Sequence, residues 1–400
     1  MTKQANAKWY KLILVSIIFV SILAGCKKDL AEKEKNFSYL IDWQLIDNVS
    51  KTSIQFYAAT VPDINAIISQ KELQNVNVYK ITYKTKNVGG EEITASGAVL
   101  FPDGGTNLPL LSYQHGTLTN KEDAPSNYGG DEIKYLAPII SSTGYALSVP
   151  DYIGYGASAI YPHPYEHAKT LGSSSFDMLM AAKEFFDYND ITLSEKLFIT
   201  GYSEGGNATM ALHQHIEQNS DLRVTMSAPA AGAYNKTAFA KDLMGRDENL
   251  TFLPKFMWVL YTYNWIYELN RPWSEYVVEP DATTLEAVSD PMKLGEANIN
   301  LNPQLLFTET TRTGVLNETD SEFLDVLAEN DTYNWKPIAP ITLYYGTDDD
   351  YVFPLNSETA YDALLANGAN VEKVAYDGKN HDSAFFPYLL DAFELFESLK

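Results

Sequence analysis

The chain of 400 residues is poor in three things. It has a single cysteine, Cys26. A disulfide needs two, so no intrachain bridge holds this fold. Basic residues are scarce: 29 Lys and Arg stand against 52 Asp and Glu, a formal net charge of −23. Nucleic acid and anionic membrane surfaces are poor partners for so acidic a protein. The acidity names no substrate, because it also serves solubility. Long apolar runs are missing after Gly25, so no later segment is expected to span a membrane. No internal repeat and no low-complexity tract appears.

The one early apolar run is short. Lys3, Lys8 and Lys11 precede it, residues 12–23 form it, and Leu23-Ala24-Gly25-Cys26 closes it. This is too short for a comfortable span and has the layout of a signal peptide. Its ending resembles a bacterial lipobox. That resemblance implies removal of residues 1–25, a lipid on Cys26 and membrane attachment through that lipid anchor. Losing three lysines and no acid leaves −26. Lys27, not an aspartate, follows Cys26 directly. By resemblance to lipoprotein sorting this implies a cell-envelope lipoprotein of the outer membrane. Lys28-Asp29 is similar to surface-export signals.

The remainder is rich enough to bury a large core, with 45% hydrophobic and 13% aromatic residues overall. Residues 27–35 are charged and read as a tether. Residues 37–68 carry apolar side chains at helical spacing and read as a wrapping segment. Strands are expected at 76–85, 93–101, 108–113, 145–149, 196–200 and 223–228. Helices are expected at 131–142, 170–188 and 207–217. The rhythm breaks at Ala233. A long stretch with no clear strand follows, carrying Phe252, Phe256, Trp258, Tyr261 and Trp265 among other aromatics. It resumes with strands at 341–345 and 371–376 and helices at 357–367 and 383–399. The expected organisation is a segment 26–75, a core 76–232, an inserted helical cap 233–336 and a returning core 337–400. Such alternation implies an α/β fold, a mostly parallel sheet with helices on both faces. Sheets of this kind place sites at the C-terminal ends of their strands.

Three strand ends carry suitable chemistry. Gly201-Tyr202-Ser203-Glu204-Gly205 lies between an apolar strand and a helix, the layout of a nucleophile elbow. A turn that tight needs small neighbours and stands the hydroxyl clear of the sheet. Asp348-Asp349-Asp350 follows the strand at 341–345, and His381 follows the strand at 371–376. Serine, acid, histidine is the chain order of the α/β-hydrolase triad, in which histidine takes the serine proton and the acid fixes its tautomer. The run 346–352 resembles the Gly-x-x-Asp-x-x-Val pattern of that superfamily, which points to Asp349. Pro354 stands one residue late, which keeps Asp348 as a rival. His213 and His215 fall inside the helix after the elbow. His163 and His167 share a loop with two prolines and no cysteine or acid cluster, so no metal site is expected. His115-Gly116-Thr117 resembles the superfamily's oxyanion turn, implying the backbone N–H groups of Thr117 and Glu204 as donors.

A wider set of motifs makes the resemblance more specific. It comprises Tyr79-Lys80-Ile81-Thr82-Tyr83, Ser96-Gly97-Ala98, Tyr113-Gln114-His115-Gly116-Thr117, Asp151-Tyr152-Ile153-Gly154-Tyr155-Gly156, His163-Pro164-Tyr165 and the elbow through Gly206. In this order they resemble the secretory-lipase-type family of α/β-hydrolases. The resemblance implies an α/β-hydrolase fold, with a helical cap ahead of the strand that bears the catalytic acid. It also implies an esterase or lipase acting on carboxylic esters without a cofactor. Two alternatives stand beside it: a serine peptidase of the same superfamily, and a non-catalytic glycan-binding envelope lipoprotein. Residues 26–75 are far too few for the propeller that prolyl-oligopeptidase-type peptidases carry. Within the insertion, residues 253–269 are apolar on nearly every side, and a helix apolar all round needs two partners. Trp258, Tyr261 and Trp265 on that helix are expected to wall an acyl pocket.

Overall fold

In the computed structural model, which describes residues 36–68 and 71–400, nine strands form one sheet. They are β1 (Leu40–Val49), β2 (Val76–Lys86), β3 (Glu92–Pro102), β4 (Leu108–Gln114), β5 (Ala146–Pro150), β6 (Leu193–Tyr202), β7 (Met226–Ala230), β8 (Ile341–Gly346) and β9 (Val371–Tyr376). Their spatial order is β1-β2-β3-β5-β4-β6-β7-β8-β9. The pairs from β1 to β5 through β2 and β3 are antiparallel, and every pair beyond is parallel. This is the α/β-hydrolase fold. The signal segment and Cys26 lie outside the described residues.

The central parallel strands β4, β5, β7, β8 and the second half of β6 are buried on both faces, which is why they read as continuous apolar runs, while the edge strand β9 is only partly buried. On β4, Leu111 joins one core cluster and Leu110 the other; on β6, Phe198 and Ile199 divide the same way. One face is covered by α1 (Lys51–Ala59), α2 (Pro62–Ile68) and α3 (Ala137–Ser142), together with the C-terminal helix. The other carries α4 (Ala168–Tyr188) and α5 (Glu204–Asn219).

Between β7 and β8 the chain forms α6 (Lys236–Gly245), α7 (Leu253–Ile266), α8 (Trp273–Tyr276), α9 (Asp281–Glu286), α10 (Pro303–Leu306), α11 (Glu309–Leu316) and α12 (Ser321–Glu329). Met257, Trp258, Leu260, Tyr263, Leu306 and Phe323 are fully buried at their centre. Tyr152, Tyr155 and Tyr165 of the loop after β5 belong to the same cluster, so these helices pack on the edge of the sheet where β5 ends. After β8 come α13 (Leu355–Ala366) and α14 (His381–Leu399).

One expectation is corrected. Residues 37–68 are not helical throughout, because Leu40–Val49 is an edge strand antiparallel to β2. Its register slips between Leu40 and Asp42 and again between Leu45 and Asp47. Each bulge inserts a residue, so the packed side chains Leu40, Trp43, Ile46 and Val49 fall three apart instead of two. That spacing imitates a helix.

Candidate active site

The site forms where β4, β6, β8 and β9 end. Ser203 caps the N-terminus of α5 with φ 60° and ψ −123°, a conformation costing about 1–3 kcal/mol for a residue with a side chain. Its amide donates to the Ala230 carbonyl at 3.0 Å. The glycines on either side are forced by proximity. A Cβ on Gly201 would lie 2.4 Å from the Gln114 carbonyl oxygen, and one on Gly205 would lie 2.0 Å from the same atom. The elbow is thus pressed against the end of β4.

Ser203 Oγ lies 3.0 Å from His381 Nε2, and His381 Nδ1 lies 2.8 Å from Asp349 Oδ2. His381 opens α14, where Asn380 and Ser383 form a reciprocal capping box that fixes the start of the helix. Tyr351 stacks on the imidazole at 5.3 Å and 11°. The Asp349 side chain is fully buried, and its Oδ1 accepts from the amides of Tyr351 and Val352, both at 2.9 Å. Asp348 and Asp350 are exposed. Of the three neighbouring acids, the one brought to the imidazole is Asp349.

The turn after β4 is held by tyrosines. Tyr152 donates to the His115 carbonyl at 3.0 Å, Tyr155 donates to the Leu118 carbonyl at 2.6 Å, and the Tyr165 and Thr117 hydroxyls lie 3.1 Å apart. His115 is buried, donates from Nδ1 to the Gly116 carbonyl at 2.7 Å, and packs on the Tyr152 ring. Asp151 anchors the tyrosine loop, accepting from Ser96 Oγ at 2.5 Å and the Ser126 amide at 2.7 Å. Among the described residues, neither the Thr117 nor the Glu204 amide has an intramolecular acceptor.

Sequence reasoning missed a buried pair. Glu204 is 1% exposed, and its Oε1 lies 2.8 Å from His163 Nε2. His163 Nδ1 donates to the Ile153 carbonyl at 2.7 Å, so one proton lies between Nε2 and the carboxyl group. Nearby, Glu166 accepts from Asn207 Nδ2 at 2.7 Å and lies 3.3 Å from Lys236 Nζ. Burial pushes its carboxyl up to about 7, against the pull of Lys236. Neither pair is visible from spacing, because the partners lie 41 and 70 residues apart.

A cavity of about 460 Å³ opens beside Ser203 and His381. Its apolar wall includes Phe239, Phe252, Phe256, Val259, Leu327 and Val352. Helix α7 therefore lines it, but not through the residues expected. Trp258 is fully buried against Tyr165, with rings 4.2 Å apart at 15°. Tyr261 faces a separate small cavity, and Trp265 is 41% exposed. The cavity face runs through 252, 255, 256 and 259, the i, i+3, i+4, i+7 stripe of a helix. Positions 258, 261 and 265 lie roughly opposite. Among the described residues no cluster of metal-ligating side chains occurs.

A sequence model of the secretory lipase family matches residues 130–387. Among curated proteins, none matches the chain significantly in sequence. Solved structures do match. A protein of Legionella pneumophila assigned as a hydrolase superposes with a TM-score of 0.81 at 25% identity, covering 90% of this chain and 98% of its own. The rice cell wall degrading esterase LipA of Xanthomonas oryzae gives 0.75 at 24% identity, with 90% and 96% covered. Candida antarctica lipase A in its closed state gives 0.66 at 16%, with 90% and 81% covered.

Two outcomes test the assignments made from packing. Trp258→Ala should lower the unfolding free energy by about 3–5 kcal/mol, leaving acyl-length preference flat. Phe256→Ala should instead shift preference toward longer acyl chains. Denaturant unfolding and a p-nitrophenyl ester series read the two; an unmoved profile for Phe256→Ala would remove α7 from the pocket wall. His163→Ala strands the Glu204 carboxyl, and breaking a buried pair from one side costs about 3–5 kcal/mol. It should also lower kcat more than it raises KM, because the Glu204 amide stands beside Ser203. Glu204→Gln preserves a hydrogen bond to His163 and should lose far less. Equal losses in both variants would reduce the pair to packing.

Proposed function

The chain belongs to the secretory lipase family and is a carboxylic-ester hydrolase; on that premise we propose that it works through Ser203, His381 and Asp349 by way of an acyl-enzyme. The observation that carries this reading is the unbroken hydrogen-bonded line from Ser203 Oγ through both nitrogens of His381 to Asp349 Oδ2. A serine hydroxyl becomes a useful nucleophile when an adjacent base takes its proton. His381 Nε2 receives that proton as Oγ attacks the ester carbonyl carbon. The carbonyl π electrons move to oxygen. The amides of Thr117 and Glu204 are the donors for that oxyanion, as backbone N–H groups without internal acceptors on either side of the nucleophile. The tetrahedral species collapses, the alkoxide leaves with the proton from His381, and the acyl group remains on Oγ. Water repeats the sequence and releases the acid. Asp349 holds Nδ1–H and stabilises the imidazolium at each stage.

The apolar end of the cavity takes the acyl chain in this reading. The likeness to an esterase described as degrading rice cell wall brings glycan esters into the assay panel beside lipid esters. The lipid anchor belongs to the same proposal, with Cys26 as the modified residue of an outer-membrane envelope lipoprotein. A lipid chain attaches a protein without spanning. No described helix is long and apolar enough to cross a membrane.

Ser203→Ala and His381→Ala should each remove nearly all hydrolysis of p-nitrophenyl esters, and the double variant should be little worse, since such groups act as a unit. Additive losses would break the assignment. Asp349→Asn should cost more than Asp348→Asn. A fluorophosphonate probe should label the native chain and not Ser203→Ala; no labelling at all would leave a binding scaffold. Cys26→Ser should release the protein from membranes with kcat/KM unchanged, and retention after a salt wash would put the anchor elsewhere.

A further inference from the structure

The apolar cap wall of the cavity is interrupted by two lysines, Lys236 of α6 and Lys255 of α7. Lys255 lies on the cavity face of α7, between Phe252 and Val259 and next to Phe256. Its stem runs over Gly295. A Cβ there would meet Lys255 Cδ at 2.7 Å and Nζ at 3.0 Å, so the absence of a side chain at Gly295 leaves the channel in which the lysine lies. Among the described residues its ammonium group has no hydrogen bond and no ion pair. The cavity's other lysine is committed: Lys236 donates to the Ala233 carbonyl at 2.8 Å and pairs with Glu166. The cavity carboxylates are accounted for as well. Glu132 accepts from the Tyr113 hydroxyl at 2.6 Å, Glu166 is held by Asn207 and Lys236, and Asp382 is exposed on α14.

An unpaired cation set into an apolar wall is poorly solvated. Burial lowers the Lys255 amine from its ordinary value, with Glu296 and Glu204 acting in the opposite direction. A ligand anion would supply the missing partner. The chain as a whole carries −23 and repels anions, so any preference for one has to be local. In a mainly apolar cavity a single charged group sets orientation and specificity more than gross affinity.

We propose that Lys255 receives a carboxylate on the substrate, so that the acyl group transferred to Ser203 ends in an acid. The substrate class is then the hemi-ester of a dicarboxylic acid, cleaved to an alcohol and the dicarboxylate. The inference rests on the reading of Ser203 as nucleophile and of the cavity as acyl pocket.

The test compares p-nitrophenyl hemi-adipate, hemi-pimelate and hemi-suberate with the hexanoate, heptanoate and octanoate of equal chain length. At one length or more, the native protein should favour the acid-terminated ester by about tenfold in kcat/KM, a preference that weakens with added salt. Lys255→Met should erase that preference and Lys255→Arg should keep it, with unfolding curves verifying that both variants fold. A native preference for the neutral ester at every length, or a preference that survives in Lys255→Met, overturns the role of Lys255 alone. Failure to cleave any ester, with no fluorophosphonate labelling, would instead defeat the hydrolase reading beneath it.

Discussion

The contact on which the site depends is the approach of the elbow to the end of β4. Gly201 and Gly205 both meet the Gln114 carbonyl at distances that leave no room for a Cβ. This closeness ties two chain segments, far apart in sequence, into one rigid corner. Ser203 pays for it with a left-handed backbone, and the gain is position. Ser203 and the His115–Gly116–Thr117 turn are then fixed relative to each other without any side chain between them. Three tyrosines hold the turn from outside and the His163–Glu204 pair holds the first residue of α5 from beneath. Catalytic geometry needs such support, because a group misplaced by an ångström loses much of its effect.

What could be read from the sequence and what could not divide along physical lines. The elbow was legible because strand, tight turn and helix each leave a local signature. The serine, acid and histidine were legible because parallel strands deliver their ends to one edge. Asp349 and Asp348 were separable only in part, since neighbours on a turn differ in direction, which composition does not encode. The β1 strand was misread because two bulges stretched its period from two to three. The pocket face of α7 was misread for another reason: a helix apolar on all sides gives no hint of which side meets which partner. The largest aromatics drew attention, yet Trp258 packs against Tyr165 while Phe256 meets the cavity. The His163–Glu204 pair was invisible because it joins a loop to a helix across the fold.

The inserted helices are joined to the core by polar contacts as well as by apolar packing. Lys236, the first residue of α6, reaches Glu166 on the loop before α4, and Glu166 accepts from Asn207 of α5. Asn207 in turn accepts from Thr332 beyond α12 at 3.0 Å. Asn330 accepts from the Ala168 amide at 3.0 Å and donates to Tyr267 at 2.8 Å. The two ends of the insertion thus converge on one polar cluster beside the elbow, while its middle supplies the apolar wall. Buried polar contacts of this kind specify one arrangement because an unmade partner is costly.

An open sheet has two borders, and among the described residues one of them is β1. A flat border strand offers unpaired N–H and C=O groups on which a strand of another copy can add, the first step of fibril-like aggregation. The bulges of β1 interrupt that repeat twice within one strand, and Asp42 and Asp47 stand exposed along it. An incoming strand would meet a broken ladder and like charge on its own copy. The irregularity that disguises β1 as a helix therefore also keeps copies crowded together from templating one another.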